Sequence, residues 1–156
     1  MHKLNLPNCK LKIKELNSKK YVFDAIRKKY LLLTPEEWVR QNFIYFLIHF
    51  RGVPSGLLSL EKGIKVNTMF RRTDIVIYSS TGDALCIVEC KAAKVKITHA
   101  VFEQIARYNM ALRVPYLVVT NGLQTYTCYI DYAKSRFQFL KNLPRFEEMD
   151  KRIGEN

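Results

Sequence analysis

The chain has 156 residues, with 26 Lys and Arg against 14 Asp and Glu, so its formal net charge is +12. A hydrophobic content of 48% argues against disorder, and the length suits one domain with a real core, here taken as residues 1–156. Such a basic balance favours a polyanionic partner, nucleic acid first, over an anionic membrane surface, for which no basic amphipathic helix stands out; solubility alone is the plain alternative.

The start, MHKLNLPNCKLKIKE, lacks the apolar core of a signal peptide, and residues 1–20 read as an irregular or edge segment. Residues 21–30, YVFDAIRKKY, carry helical spacing at Val22, Ile26 and Lys29/Tyr30, which predicts a short helix. Thr34-Pro35-Glu36-Glu37 then opens a longer one. Thr34 can cap it, Pro35 suits its first position, and two acids face its positive end. Val39, Phe43, Phe46, Leu47 and Phe50 form its apolar stripe, and Arg51-Gly52 with Pro54 stops it. Glu36 lies four residues before Arg40, and Glu37 four before Gln41. Dipole compensation alone would account for both acids. The longest apolar stretch, residues 43–50, contains His49 and is too short to span a bilayer.

Residues 57–66 read as a strand kinked at Lys62-Gly63, and residues 67–70 as a connection. Residues 71–91, RRTDIVIYSSTGDALCIVECK, read as two strands around a turn in which Gly82 is free to take positive φ. With a two-residue loop at Thr81-Gly82, Ser79 pairs with Ala84 and Asp74 stands directly opposite Glu89. Lys91, two residues past Glu89, shares that face. Two carboxylates so close repel, and a divalent cation would keep both ionised; Mg²⁺ suits one or two carboxylates with waters and substrate phosphates. Solvated charges on an open sheet face are the plain alternative. Cys86 and Cys90 fall on the other face and read as buried small hydrophobes. With Cys9 and Cys128 they show no C-x-x-C spacing, which argues against zinc fingers and a disulfide framework and for a reducing, cytoplasmic location.

Thr98 is the expected cap of a helix to about Leu112, with Val101, Phe102, Ile105, Asn109 and Leu112 along its stripe and Gln104 and Tyr108 together on one flank. The run at residues 115–120, PYLVVT, reads as a buried strand, and Asn121-Gly122 turns it into a returning strand over residues 123–130. Beyond Asp131 the pattern weakens. Phe137, Phe139, Leu140, Leu143 and Phe146 should pack on the domain or on a second subunit, and the tail EEMDKRIGEN is expected to fray. Two helices, a strand, a hairpin, a helix and a second hairpin make an α/β domain with a mixed central sheet flanked by helices.

Taken together, PEEWVRQNF at 35–43, Glu61, RRTD at 71–74, VECKA at 88–92, FEQIARYN at 102–109 and YLVVTNGL at 116–123 resemble the PD-(D/E)XK nuclease superfamily. They most closely resemble the N-terminal nuclease-like domain of type I restriction enzyme R subunits. The resemblance covers a core of about residues 30–130, with the N- and C-terminal segments packed on it. It implies a restriction-endonuclease-like αβββαβ core and Mg²⁺-dependent DNA phosphodiester hydrolysis, with Mn²⁺ as a substitute. By position, Asp74 and Glu89 would be metal ligands, the Cys90 backbone carbonyl a third, and Lys91 would orient or activate the attacking water. Gln104 and Tyr108 match the Q-x-x-x-Y element that positions the nucleic acid or the site. Glu36 would be the first-helix acid by its spacing to Arg40, with Glu37 as the alternative. Thr73 stands where the motif's name has Pro. Arg71, Arg72, Lys94 and Lys96 flank the site and could bind the phosphate backbone.

Three functions follow as expectations: a metal-dependent endodeoxyribonuclease, a catalytically silent nucleic-acid-binding or accessory module of the same fold, and a basic structural protein. DNA is the expected partner. A motor or specificity subunit and a second copy of the chain are further ones, and no membrane is expected.

Overall fold

The computed structural model describes residues 1–61, 64–66 and 68–154, with the side chains of 65, 66 and 69–71 excepted. The kink expected at Lys62-Gly63 and the connecting Asn67 lie outside the described residues.

The first helix, α1 (Pro35–Phe50), begins as its sequence dictates: the Glu37 N–H donates to Thr34 Oγ1 at 3.0 Å, with Pro35 in the first turn. Val39, Phe43, Ile44 and Leu47 are its buried apolar face. The turn that ends it places Gly52 at φ +68°, and a Cβ there would meet the Arg145 guanidinium at 2.9 Å.

That apolar face packs on a six-stranded mixed sheet, built from β4 (Leu58–Leu60), β7 (Ile75–Tyr78), β8 (Ala84–Cys90), β9 (Tyr116–Thr120), β10 (Thr125–Asp131) and β11 (Arg136–Leu140). The spatial order is β11-β10-β9-β8-β7-β4, with β8 and β9 parallel and the other pairs antiparallel. The parallel step needs a crossover, which α2 (His99–Met110) supplies, capped by Thr98. Along the chain the core therefore runs α1-β4-β7-β8-α2-β9, the expected αβββαβ order. Cys86, Val88 and Cys90 join Val39, Phe43 and Leu47 in one core layer, while Ile87, Val119, Phe102 and Ala106 form the layer under α2. The two cysteines are buried small side chains, as their alternation with Glu89 predicts.

The β7–β8 hairpin reaches the expected register by an unexpected route. Ser79 pairs with Asp83, not Ala84: its N–H donates to the Asp83 carbonyl at 2.7 Å, and Gly82 sits at φ +91°. Three residues, not two, make the loop. Tyr78 then pairs with Ala84 and Ile77 with Cys86, leaving Leu85 as one extra residue. That bulge restores the pairing, so Ile75 faces Val88 and Asp74 comes beside Glu89.

Three segments differ from their sequence reading. Residues 1–20 are not wholly irregular and residues 21–30 are not a helix, because β1 (Ile13–Leu16), β2 (Lys19–Asp24) and β3 (Lys29–Leu32) form an antiparallel sheet. Asn17 and Ser18 both take positive φ and close its first turn. The Asp24 carboxylate accepts from the Ile26 and Arg27 N–H groups, both at 2.9 Å, and so makes the second turn without Gly or Pro. Residues 57–66 are not one strand: β4 ends at Leu60, Glu61 takes φ +51°, and β5 (Ile64–Val66) pairs with β6 (Met69–Arg71), which replaces much of the expected connection. The C-terminal tail is not frayed over most of its length. It forms α3 (Phe146–Gly154), whose Met149 is fully buried and whose Asp150 accepts from Ser80 N–H at 2.8 Å. Leu143 packs in the core, whereas Phe137 and Phe139 on the edge strand β11 stay exposed.

Met149→Ala tests the docking of α3. Loss of a fully buried side chain should destabilise the domain by about 2–5 kcal/mol in urea unfolding. A change under about 0.5 kcal/mol would mean that α3 is not part of the cooperative core.

Candidate active site

Asp74 lies one residue before β7, and its backbone carbonyl accepts from the Glu61 N–H at 3.0 Å. Its carboxylate is held at both oxygens. Cys90 N–H donates to Oδ2 at 2.7 Å, and Arg40 Nη2 donates to Oδ1 at 3.1 Å. Glu89, the neighbouring residue on β8, is within hydrogen-bonding reach of Asp74. Burial pushes its carboxyl up to about 8, and the Asp74 charge and hydrogen bond push the same way; Lys91 opposes them only in part. At neutral pH Glu89 therefore favours its protonated form.

Lys91 is fixed through its backbone, since its N–H donates to the Thr120 carbonyl at 2.8 Å and carries the β8–β9 ladder past Cys90. Its side chain lines a cleft of about 310 Å³ with Arg72, Glu89, Gln104, Ile105, Tyr108 and Asn109. The Q-x-x-x-Y pair of α2 thus meets the carboxyl–lysine cluster of β8. A second cleft, of about 660 Å³, opens at Glu36, Glu37, Arg40, Glu61, Ala92 and Lys94. Adjacent residues, Lys91 and Ala92, line one cleft each.

The geometry distinguishes the two acids at the start of α1. Glu37 is buried, bonded to Arg40 and to Gln41 Nε2 at 2.8 Å, with Arg27 at 3.4 Å. Its lone pairs are committed to the fold. Glu36 is about half exposed, pairs with Arg40 Nη2 at 3.0 Å, and has Asp74 and Lys91 in its electrostatic surroundings. Partial burial raises its carboxyl, and Asp74 adds to the rise.

Arg40 joins these groups. Its side chain is 4% exposed and lies against Glu36, Glu37, Glu61 and Asp74. A second guanidinium, that of Arg27, reaches Asp24 at 2.7 Å, Glu61 at 2.8 Å and Glu37 at 3.4 Å. Asp24, fully buried, also accepts from Gln41 Nε2 at 3.0 Å, and these partners hold its carboxyl below the usual range despite its burial. Sequence reasoning misses Asp24 and Arg27 as site supports because it assigns them to a helix. The adjacency of an acid and a base at 24 and 27 was the available signal. Of the flanking basic residues, Arg72 and Lys94 line the clefts, Lys96 is exposed and lines neither, and the Arg71 side chain lies outside the described residues.

The donor set fits a hard divalent cation. Asp74 and Glu89 offer carboxyl oxygens, the Cys90 backbone carbonyl lies between Glu89 and Lys91 in the chain, and the raised Glu89 carboxyl marks where a cation would relieve the repulsion. Among the described residues no group of three or more His, Cys, Asp or Glu side chains forms a metal cluster, so a cation here would rest on two carboxylates, backbone and water. Among them, too, no helix is long and apolar enough to cross a membrane.

Residues 35–144 match the family described as the type I restriction enzyme R protein N terminus (HSDR_N). The fold is similar to that of a fragment assigned as an HsdR subunit of a type I restriction enzyme from Vibrio vulnificus YJ016, with a TM-score of 0.56 and 18% identity over 79% of this chain. The match covers 26% of that chain, so this protein spans about a quarter of its length. No curated protein matches.

Glu89 makes stability depend on pH. The folded state keeps its proton to about pH 8, while the unfolded chain loses it near 4.5. Across that window the folded state binds more protons, so stability falls as pH rises, by at most about 1.4 kcal/mol per unit. Urea unfolding without divalent ions should show this fall, with a shallower slope in Glu89→Gln. Equal slopes would mean that Glu89 is already ionised.

Proposed function

The chain belongs to the type I restriction enzyme R protein N-terminal family, a restriction-related nuclease family, and on that premise we propose that it hydrolyses DNA phosphodiester bonds with a divalent cation held at Asp74 and Glu89. The observation that carries this reading is the contact of two carboxyl groups beside Lys91, in a cleft also lined by Gln104 and Tyr108. A binding protein gains nothing from forcing two acids together under a basic surface.

Mg²⁺ bound by the Asp74 and Glu89 carboxylates and the Cys90 carbonyl, or Mn²⁺ in its place, would supply charge neutralisation at a phosphoryl oxygen and a water of lowered pKa. The chain's own residues do the rest. Arg40 and the Cys90 N–H fix the direction of the Asp74 carboxylate. Lys91 places an ammonium where phosphate charge develops and can orient the attacking water. Glu36, half exposed beside Asp74 and Lys91, is placed to accept a hydrogen bond from that water. Arg72 and Lys94 offer cations to neighbouring phosphates on the two sides of the site. Gln104 and Tyr108, both exposed on α2, contact the strand being cut.

The net charge of +12 supports DNA as the partner. A motor or specificity subunit, and a second copy of this chain, are the protein partners we propose. The free state of all four cysteines suits a cytoplasmic setting. The second reading, a silent nucleic-acid-binding module of the same fold, draws on the net charge of +12.

Plasmid and single-stranded DNA incubated with Mg²⁺, Mn²⁺ or EDTA decide between them. Wild type should cut only with metal, and Lys91→Ala should lower the rate by roughly 10²–10³-fold. Cutting in EDTA, or undiminished cutting by Lys91→Ala, would overturn the assignment. No cutting by wild type on either substrate would favour the silent module.

A further inference from the structure

The small N-terminal sheet has two unlike faces. Directly opposed residues share a face, and Val22 and Asp24, both fully buried, mark the inner one; Leu31 shares it, and Ile13 and Glu15 continue it where the sheet is exposed. The outer face carries the exposed Tyr30 and the half-buried Tyr21 and Phe23, with Lys12, Lys14 and Lys19 around them; Phe23 and Lys12 line a cleft against Gln41, Ile44 and Tyr45 of α1. Lys12 continues the ladder, because its carbonyl accepts from Phe23 N–H at 2.9 Å. All three lysines are exposed, as is Tyr30 at 40%. Strand alternation puts Glu15 and Asp24 on the face of Val22, so no carboxylate of β1, β2 or β3 lies on the outer face.

Rings and cations are also paired in space. Lys14 Nζ lies 3.9 Å from the Tyr30 ring centre and Lys12 Nζ 5.7 Å from that of Phe23, and the two rings are 5.2 Å apart. Each ring thus comes with a flexible ammonium. Leu32, on the same outer face, lines the 660 Å³ cleft with Glu36, Arg40 and Lys94, so the face runs directly into the site already described.

We propose that this outer face is a binding platform for single-stranded nucleic acid, with a base stacked on Tyr30 and the neighbouring phosphates met by Lys12, Lys14 and Lys19. A base offers its ring face only when it is unstacked from its neighbours, which selects single strands over duplex. An acidic peptide would use the lysines and leave the rings idle. The platform would deliver a strand through Leu32 towards the carboxyl pair, yet the binding itself needs neither metal nor cleavage.

Fluorescence anisotropy of a labelled 20-nucleotide oligothymidine, titrated with the full chain in EDTA at fixed salt, tests it apart from any nuclease activity. Tyr30→Ala should weaken binding about tenfold while leaving the affinity for a 20-base-pair duplex unchanged, and Tyr30→Trp should bind as wild type does. Unchanged oligothymidine binding by Tyr30→Ala would overturn the proposal. So would an equal loss on the duplex, or a Tyr30→Trp variant as weak as the alanine one.

Discussion

Two carboxyl groups in contact inside a protein repel unless something neutralises one of them, and the arrangement around Asp74 and Glu89 is organised by that constraint. Glu89 answers it with a proton retained to about pH 8. Asp74 answers it with partners, one N–H from Cys90 and one guanidinium from Arg40. Burying Arg40 creates a second demand, met by Glu36, Glu37 and Glu61, and Arg27 balances Glu37 and Glu61 in turn. Isolated buried charges are costly and buried pairs roughly break even. This network is therefore better explained as a means of orienting Asp74 than as a source of stability. It also explains why the small N-terminal sheet belongs to the site: β2 and the turn after it supply Asp24 and Arg27.

The register of one hairpin decides whether the pair exists at all. A strand slipped by one residue turns every side chain to the other face. The three-residue loop at Ser80, Thr81 and Gly82 introduces such a slip, and Leu85 cancels it as a bulge. Leu85 and Cys86 both sit in the core layer of α1, as a bulge permits, and alternation then carries Glu89 to the face of Lys91 and α2. Without the extra residue Asp74 would face Val88, and Glu89 would be driven into the apolar layer under α1.

Much of this was legible in the sequence because local chemistry and tertiary demand agree there. Thr34-Pro35 and Thr98 cap their helices, and within the apolar run of residues 115–120 Tyr116–Thr120 is a wholly buried strand. The Asp74–Glu89 juxtaposition was read correctly from a loop that was wrong by one residue, since nothing in DALCIV announces a bulge. The N-terminal sheet was hidden because an Asp side chain, not Gly or Pro, makes the Asp24 turn, and because Val22, Ile26 and Tyr30 mimic a helical stripe. The last helix was hidden because it is charged on most positions and buries little beyond Met149, Phe146 and Ile153. Choosing between Glu36 and Glu37 needed the bonds that Arg27 and Gln41 make to Glu37, and Arg27 lies outside every motif.

The exchange of the Glu89 proton for a cation is the central step of the proposed function, and calorimetry reads it directly. Titrating Mg²⁺ or Mn²⁺ into the protein near pH 7, in buffers of different ionisation enthalpy, counts the protons released per metal bound. About one proton should leave in wild type and almost none in Glu89→Gln, because the carboxyl must ionise to take the metal. Metal binding without proton release in wild type, or binding unaltered in Glu89→Gln, would contradict the claim that Asp74 and Glu89 form the metal site.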